Sequence, residues 1–497
     1  MKALEQFNEY LKEMNYYDHA ALLMYWDMKT ATPKEALYKV SDSSAFFNMK
    51  KFNMATSEEF GKLLCELNEP EAYGQLDDAM KFIVRQMKED YDRDKRIPAD
   101  FYEEYIRAIT DSENAWVEAK TTDNYELFAP HLKNMIEYSK KLYSYTDPDM
   151  DCYDAMLNQY ERGMNSATID RIFDELKSEL IPFIKEILSK SEPSDEKFRI
   201  KYSIDEERHA QEYLLKYIGF NFDRGSFAES EHPFTMNFCS RDARVTNHYS
   251  EDDIIDPIFT AIHEGGHAVF EQNVNPEYDC TVAGSCRYMG IHESQSRFYE
   301  NILGRNRNFW VPIYKDMQDI IKPLSNISLD EFYAEINHIR ASYIRTAADE
   351  VTYCLHIIIR YEIEKAIFRD NVDVDKLPAL WNELMEKYLG ITPPNDRLGI
   401  LQDTHWADAS FGYFPSYLLG SIYDGMYIEA IEKDLGDIDT ILKKGRILDI
   451  THWLNEKIHR FGSTRTPLEM LDAVCGKEIS AKPLITYFKK KYGDLYK

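Results

Sequence analysis

His263-Glu264-Gly265-Gly266-His267 sets two imidazoles and a carboxylate within five residues of an apolar segment. Ile254, Ile255, Ile258, Phe259, Ile262, Val269 and Phe270 recur around it at helical spacing, so the stretch reads as one face of a buried helix. Positions four apart on a helix face the same way, which lets His263 and His267 bind one metal ion while Glu264 reaches a water on it. Gly265 and Gly266 oppose helix formation by about a kcal/mol each, a cost explained if backbone or substrate must come close there.

A catalytic metal takes three protein ligands and keeps a further position open for water. His292-Glu293-Ser294-Gln295 supplies the third ligand as Glu293, 30 residues beyond His263, far enough for one helix to end and another to return beside it. Two histidines and a downstream glutamate form the pattern of a metallopeptidase. Cys280 and Cys286 lie near in sequence, but their spacing matches no ordinary cysteine-zinc motif.

The chain of 497 residues has room for several domains or for one large helical body, and its 44% hydrophobic content is ample for a core. Its formal net charge of −28 argues against a nucleic-acid or anionic-membrane partner. The same charge means that a substrate with a free carboxylate must be met by a local cation, best an arginine. The start, Met1-Lys2-Ala3-Leu4-Glu5-Gln6, enters an amphipathic helix pattern rather than a secretory signal. No stretch reaches the roughly eighteen to twenty apolar residues of a membrane helix. Seven scattered cysteines, an odd number, fit reduced thiols, so a soluble cytoplasmic enzyme is expected.

From Met1 to about 193 the chain reads as successive helices, a lobe of about 1–200, with breaks at Thr32-Pro33, Asn68-Glu69-Pro70, Pro98, Ala129-Pro130 and Thr146-Asp147-Pro148. Between about 219 and 249 the texture changes. Phe234-Thr235-Met236-Asn237-Phe238 and Ala243-Arg244-Val245-Thr246 alternate apolar with polar, which predicts a small antiparallel sheet beside the metal helix, suited to pairing with an extended peptide. From about 252 to the end the chain is helical again, including a long run from Leu329 to Arg369. The expected architecture is mainly α: one catalytic domain over 1–497, a large helical body of two lobes flanking a deep groove, with the small antiparallel sheet beside the site.

Further constellations lie outside the metal motif. Arg345 and Asp349 in Ile344-Arg345-Thr346-Ala347-Ala348-Asp349 stand at i and i+4, so Asp349 can orient the guanidinium, although alone the pair reads as a surface ion pair. Gly399-Ile400-Leu401-Gln402-Asp403-Thr404-His405-Trp406 gathers a histidine, an amide and a carboxylate after a turn. Phe411-Gly412-Tyr413-Phe414-Pro415-Ser416-Tyr417 is glycine- and proline-bounded, as a loop offering phenols to a cleft would be. With 35 tyrosines in the chain, packing is the first reading of any one of them.

Together these residues resemble the carboxypeptidase Taq family of zinc metallocarboxypeptidases, through His232-Pro233-Phe234, Asp242-Ala243-Arg244-Val245-Thr246, the His263 to His267 motif, His292 to Gln295, Ile344 to Asp349 and Gly399 to Trp406. The likeness runs on through Trp26-Asp27, Tyr153-Asp154, Tyr160-Glu161 with Gly163-Met164, the Phe411 to Tyr417 loop, Trp453-Leu454 and His459, and so covers essentially the whole chain. Arg162 stands where the pattern has proline, and Ser226-Phe227-Ala228 replaces a more polar stretch. The resemblance implies a helical, two-lobed, gluzincin-type peptidase, homodimeric and cytosolic, that removes single C-terminal residues with broad preference. By motif position it makes His263, His267 and Glu293 the ligands of one zinc, with cobalt an alternative, and Glu264 the general base. The candidates to read the substrate carboxylate are Arg345 and Arg244, of which the resemblance favours Arg345; Arg244, His232 and Asp349 are expected among the substrate contacts. His405, Tyr413 and Tyr417 are expected to bond the tetrahedral oxyanion. Two other readings stand beside it: an oligopeptidase or dipeptide-releasing zinc peptidase, and a non-catalytic peptide-binding protein with a structural metal. Glu264 speaks against the second, because a closed structural site has no use for a base.

Overall fold

The computed structural model describes residues 2–190, 198, 201–250, 253–284 and 286–497. The boundaries expected near 193–200 and at 252 lie outside the described residues.

The chain opens with an antiparallel pair of helices, Lys2–Thr30 and Leu37–Ala55, separated by the expected break at Pro33, whose ring and missing N–H stop helix propagation. The next helix, Glu58–Asn68, starts at Ser57, whose hydroxyl accepts from Phe60 N, and stops before Pro70. Phe7, Leu11 and Met14 of the first helix close against Phe60, Leu64 and Leu67 and against Phe82, Ile83 and Val84 of helix Asp78–Asp94. These residues form a small core of their own. A larger core begins at Ala119 and takes in apolar residues as far as Tyr492. Residues 119–188, read from sequence as part of an N-terminal lobe, therefore pack with the C-terminal part of the chain. The expected break at Ala129-Pro130 does not occur. Helix Tyr125–Thr146 starts instead at the Asn124 cap and runs through Pro130, with Tyr125, Phe128, Leu132 and Met135 buried along one face.

The sheet lies where the alternating pattern put it. Strands β2 (Thr235–Cys239) and β3 (Asp242–Asn247) pair antiparallel, with Thr235 opposite Val245 and Asn237 opposite Ala243. A short third strand, β1 (Phe227–Glu229), lies parallel to β3, so the order is β1-β3-β2 and the sheet is mixed rather than wholly antiparallel. The buried Val245 and Ala243 of β3 belong to the core shared with the metal-motif helix, Ile255–Gln272.

The long helix expected over 329–369 is two helices, Leu329–Ile336 and Thr352–Phe368. At Asn337 the side-chain amide donates to Tyr333 O and Arg305 O, taking a carbonyl that a continuing helix would bond through its backbone. The fifteen residues between the helices carry only a short 3-10 turn at Arg345–Ala347. Asp349 restarts the second helix by accepting from Val351 N, Thr352 N and Thr352 Oγ1.

Candidate active site

The metal-motif helix begins where Asp253 accepts from Ile255 N and Asp256 N. Its two glycines are explained by close approach. A Cβ on Gly266 would lie 2.8 Å from Gln295 O and from Ser296 Cα, and one on Gly265 would lie 2.6 Å from Leu215 Cδ2. Only glycine lets the helix Met289–Arg297 come this close, and that helix carries Glu293.

The approach brings the three expected ligands together: one donor atom each of His263, His267 and Glu293 lie within 4.8 Å of one another. Glu293 Oε2 stands 3.9 Å from His263 Nε2 and 3.7 Å from His267 Nε2. Ligands in a tetrahedral zinc site about 2 Å from the ion are roughly 3.3 Å apart, so the donor set fits a divalent ion with a small closure of the side chains. The other Glu293 oxygen accepts from Arg297 Nε at 2.7 Å. His263 Nδ1 bonds Glu300 Oε2 at 2.8 Å, which leaves Nε2 as the nitrogen turned to Glu293 and open to a metal. Glu300 sits on a π-helical turn, Phe298–Gly304, that continues the Glu293 helix, and its second oxygen accepts from Arg305 Nη2 at 3.2 Å.

Electrostatics separates the two histidines. Burial, with the neighbouring His292 and His263, holds His267 well below the usual imidazole range, so it is a neutral ligand in waiting. Burial also opposes charge on His263, but the bond to Glu300 and the carboxylates of Glu293 and Glu264 outweigh it and raise its pKa to about 9. Burial pushes Glu264 above the ordinary carboxylate value, against the pull of His263 and of Thr235, whose hydroxyl donates to Glu264 Oε2 at 2.7 Å. A carboxylate raised in this way is a better base for water at neutral pH. Thr235, the first residue of β2, thus ties the sheet to Glu264. The His292 ring stacks on His267 at 4.2 Å and bonds Glu271 at 2.9 Å, which makes it a packing partner of a ligand.

A second cluster forms around Arg345, which is buried. Its Nε and Nη2 both donate to Asp403 Oδ1, at 3.1 and 2.9 Å, and Nη1 donates to Tyr353 Oη at 3.0 Å. The orienting carboxylate is therefore Asp403 and not Asp349, which the helix break has committed to capping. Arg360 Nε holds the other Asp403 oxygen at 2.7 Å. Tyr417 places its ring 4.8 Å from the Arg345 guanidinium and its hydroxyl 3.1 Å from His405 Nε2. Tyr413 packs on Tyr417 and on His405, with ring centres 5.0 and 5.5 Å apart. Burial raises the pKa of both phenols, that of Tyr413 to about 12, with the Glu293 carboxylate contributing, so both stay protonated beside the metal ligands. Burial lowers His405 to about 4, which leaves it neutral at pH 7.

Arg244 and His232 stand apart from this cluster. Arg244, on β3, is held by Asp242 through two bonds of 2.8 and 2.7 Å, and its guanidinium lies over Phe238 and Trp26. His232 is exposed in the turn between β1 and β2. Sequence reading missed Thr235, Arg297, Glu300 and Tyr353 as parts of the site, and it singled out the carboxylate of Asp403 without pairing it with Arg345. Arg297 and Glu300, four and seven residues beyond Glu293 on one helical run, had a signal in their spacing.

With this geometry in hand, comparison with known proteins is decisive. The model of the carboxypeptidase Taq (M32) metallopeptidase family matches residues 6–492. The chain belongs to that family. It is a metallocarboxypeptidase, a hydrolase of peptide bonds that depends on a divalent metal. Carboxypeptidase 1 of Bacillus subtilis is 40% identical over 494 residues, 99% of this chain and 98% of that protein. Thermostable carboxypeptidase 1 of Thermus thermophilus is 32% identical over 505 aligned positions, 99% of each chain. The crystal structure of the M32 carboxypeptidase from Deinococcus radiodurans superposes with a TM-score of 0.96 at 28% identity, covering all of both chains. Among the described residues no helix is long and apolar enough to cross a membrane.

Proposed function

We propose that this carboxypeptidase holds one zinc ion per chain on His263, His267 and Glu293, and that it removes single residues of broad variety from the free C-terminus of peptides. The same imidazole and carboxylate donors suit cobalt. The observation that carries the reading is the convergence of those three donors within 4.8 Å, two of them on the helix that also carries Glu264 and the third, Glu293, on the helix packed against it. When bound, the ion polarises the scissile carbonyl and lowers the pKa of its water to about 7. Glu264, fixed by Thr235, accepts the proton of the attacking water and returns it to the leaving amine. Arg345 meets the substrate's terminal carboxylate. His405, Tyr413 and Tyr417, neutral donors packed beside it, hydrogen-bond the oxyanion that develops at the reacting carbon. Arg244 and His232 flank β2 and lie along the path of an extended peptide laid against the sheet. The enzyme acts in the cytoplasm as a homodimer and, with a net charge of −28, binds no nucleic acid.

Release of free amino acid from an N-blocked dipeptide, with and without chelator, tests this reading. Chelator-sensitive release from the free acid and not from its amide is the expected result. Release of dipeptides from longer peptides, with no dependence on the terminal carboxylate, would replace it with the oligopeptidase reading.

A further inference from the structure

Tyr353, in the first turn of helix Thr352–Phe368, stands between Arg345 and Arg297. Its hydroxyl accepts from Arg345 Nη1 at 3.0 Å. Its ring face carries the Arg297 guanidinium, 3.8 Å from the ring centre, well inside the range of a cation–π contact. Arg297 in turn donates to Glu293 Oε1 at 2.7 Å. One side chain, 5% exposed, therefore links the group that reads the substrate carboxylate to the residue that holds the metal.

Arg345 has five N–H groups, and its bonds to Asp403 and Tyr353 take three of them: Nε–H, one on Nη1 and one on Nη2. Among the described residues one N–H on each terminal nitrogen has no acceptor, and these are available to a carboxylate. A carboxylate bound there immobilises the guanidinium, and Tyr353, bonded to it, is immobilised with it. The ring then fixes the plane of Arg297, and Arg297 fixes Glu293.

We propose that Tyr353 is a positioning residue that couples occupancy of the terminal-carboxylate subsite to the hold of Glu293 on the metal. The proposal rests on the reading of Arg345 as the carboxylate's partner. Coupling of this kind is reciprocal: substrate carboxylate tightens the metal, and loaded metal tightens the carboxylate. It favours hydrolysis of chains that end in a free carboxylate over those that do not.

The test uses the full-length zinc-loaded enzyme and follows metal loss to excess chelator. The probe is a dipeptide whose scissile bond is reduced to CH2–NH, presented as free acid and as C-terminal amide so that direct contacts of its amine cancel. In the wild type the free acid should slow metal loss more than the amide does, on the order of tenfold. Tyr353→Phe keeps the ring under Arg297 and deletes only the hydroxyl. It should hold metal as the wild type does in the absence of peptide, yet lose most of that difference. Tyr353→Leu, which removes the ring face as well, should also lose metal faster with no peptide present. If Tyr353→Phe keeps the full difference while Arg345→Ala abolishes it, the proposal fails and the reading of Arg345 survives. If the wild type shows no difference between acid and amide, both fall.

Discussion

Glu300 bonds His263 Nδ1 at 2.8 Å, while Glu293, seven residues earlier on the same helical run, faces His263 Nε2 at 3.9 Å. One run of chain thus supplies a proposed metal ligand and the group that orients another, and each carboxylate is braced by an arginine through its second oxygen. Ligand-orienting partners of this sort are worth about 10- to 100-fold in metal affinity. Glu300→Gln, which can still accept from Nδ1–H but carries no charge, should weaken metal binding about tenfold, and Glu300→Ala more. Chelator competition at fixed pH checks this, and unchanged affinity in both variants would remove Glu300 from the metal's support. Because the pKa of His263 is raised to about 9 before metal binds, loading at pH 7 should release a proton. Glu300→Gln should release less of one, as read from the buffer dependence of the calorimetric enthalpy.

Glu264→Gln should keep the metal and lose hydrolysis. The amide matches the carboxylate in shape and can still accept from the Thr235 hydroxyl, but it cannot take a proton from water. Metal content by elemental analysis alongside turnover separates the roles, since His263→Ala, His267→Ala and Glu293→Ala should each lower occupancy instead. Turnover of peptides by the Glu264→Gln variant would require another base.

The convergence of the candidate ligands was legible in sequence because helical spacing alone puts His263 and His267 on one face, and because two adjacent glycines in a buried helix signal something close by. At Gly266 that something is the backbone of Gln295 and Ser296, and at Gly265 it is the side chains of Leu215 and Ile218. The antiparallel pair β2–β3 was legible for a similar reason, since period-two alternation is local. The partner of Arg345 was not. Spacing of i and i+4 offered Asp349, but the rule holds only if the helix is continuous, and here Asn337 ends one helix and Asp349 begins the next. Asp403, 58 residues further on, wins because a buried guanidinium needs a carboxylate aligned with two of its N–H groups, and the fold supplies one. Pro130 misled in the same manner: a local rule for breaks gave way to the burial of Phe128, Leu132 and Met135 along one helix face.

Glu161 allows a prediction about stability and pH. It is buried, its Oε1 accepts from Gly290 N near the start of the Glu293 helix, and its Oε2 accepts from Tyr423 Oη at 3.0 Å. Burial raises its pKa to about 7, against the opposing pull of those two donors. In the unfolded chain the same group titrates near about 4.3. Between those values the folded state binds more protons than the unfolded one, so this residue's contribution to stability is fully present below about pH 4 and is lost as pH rises towards 7. The loss is on the order of 3 kcal/mol. Glu364 and Glu207 are also raised to about 7, so the measurement is a difference. Unfolding of Glu161→Gln and wild type by denaturant from about pH 5 to about pH 8 should give curves that diverge in favour of the variant as pH rises. Parallel curves would place the Glu161 pKa near that of an exposed carboxylate.

On the proposed reading, Arg345 is what makes this enzyme a carboxypeptidase. A protein of net charge −28 repels a free C-terminus, and the Arg345 guanidinium, buried between Asp403 and the rings of Tyr353 and Tyr417, is the cation set beside the candidate oxyanion donors. Truncating one partner of a desolvated charge pair costs about 2 to 5 kcal/mol, so Arg345→Ala should lower kcat/KM on free-acid peptides by that amount. On the same peptides amidated, which the wild type should already cleave poorly, the variant should lose far less. Asp403→Asn provides the companion measurement. It leaves the arginine in place but removes the charge that aligns two of its N–H groups, so selectivity for the free acid should fall while the metal stays bound. Equal cleavage of free and amidated peptides by the wild type would mean that no carboxylate is read, and the Arg345 cluster would then be a structural ion pair in an oligopeptidase.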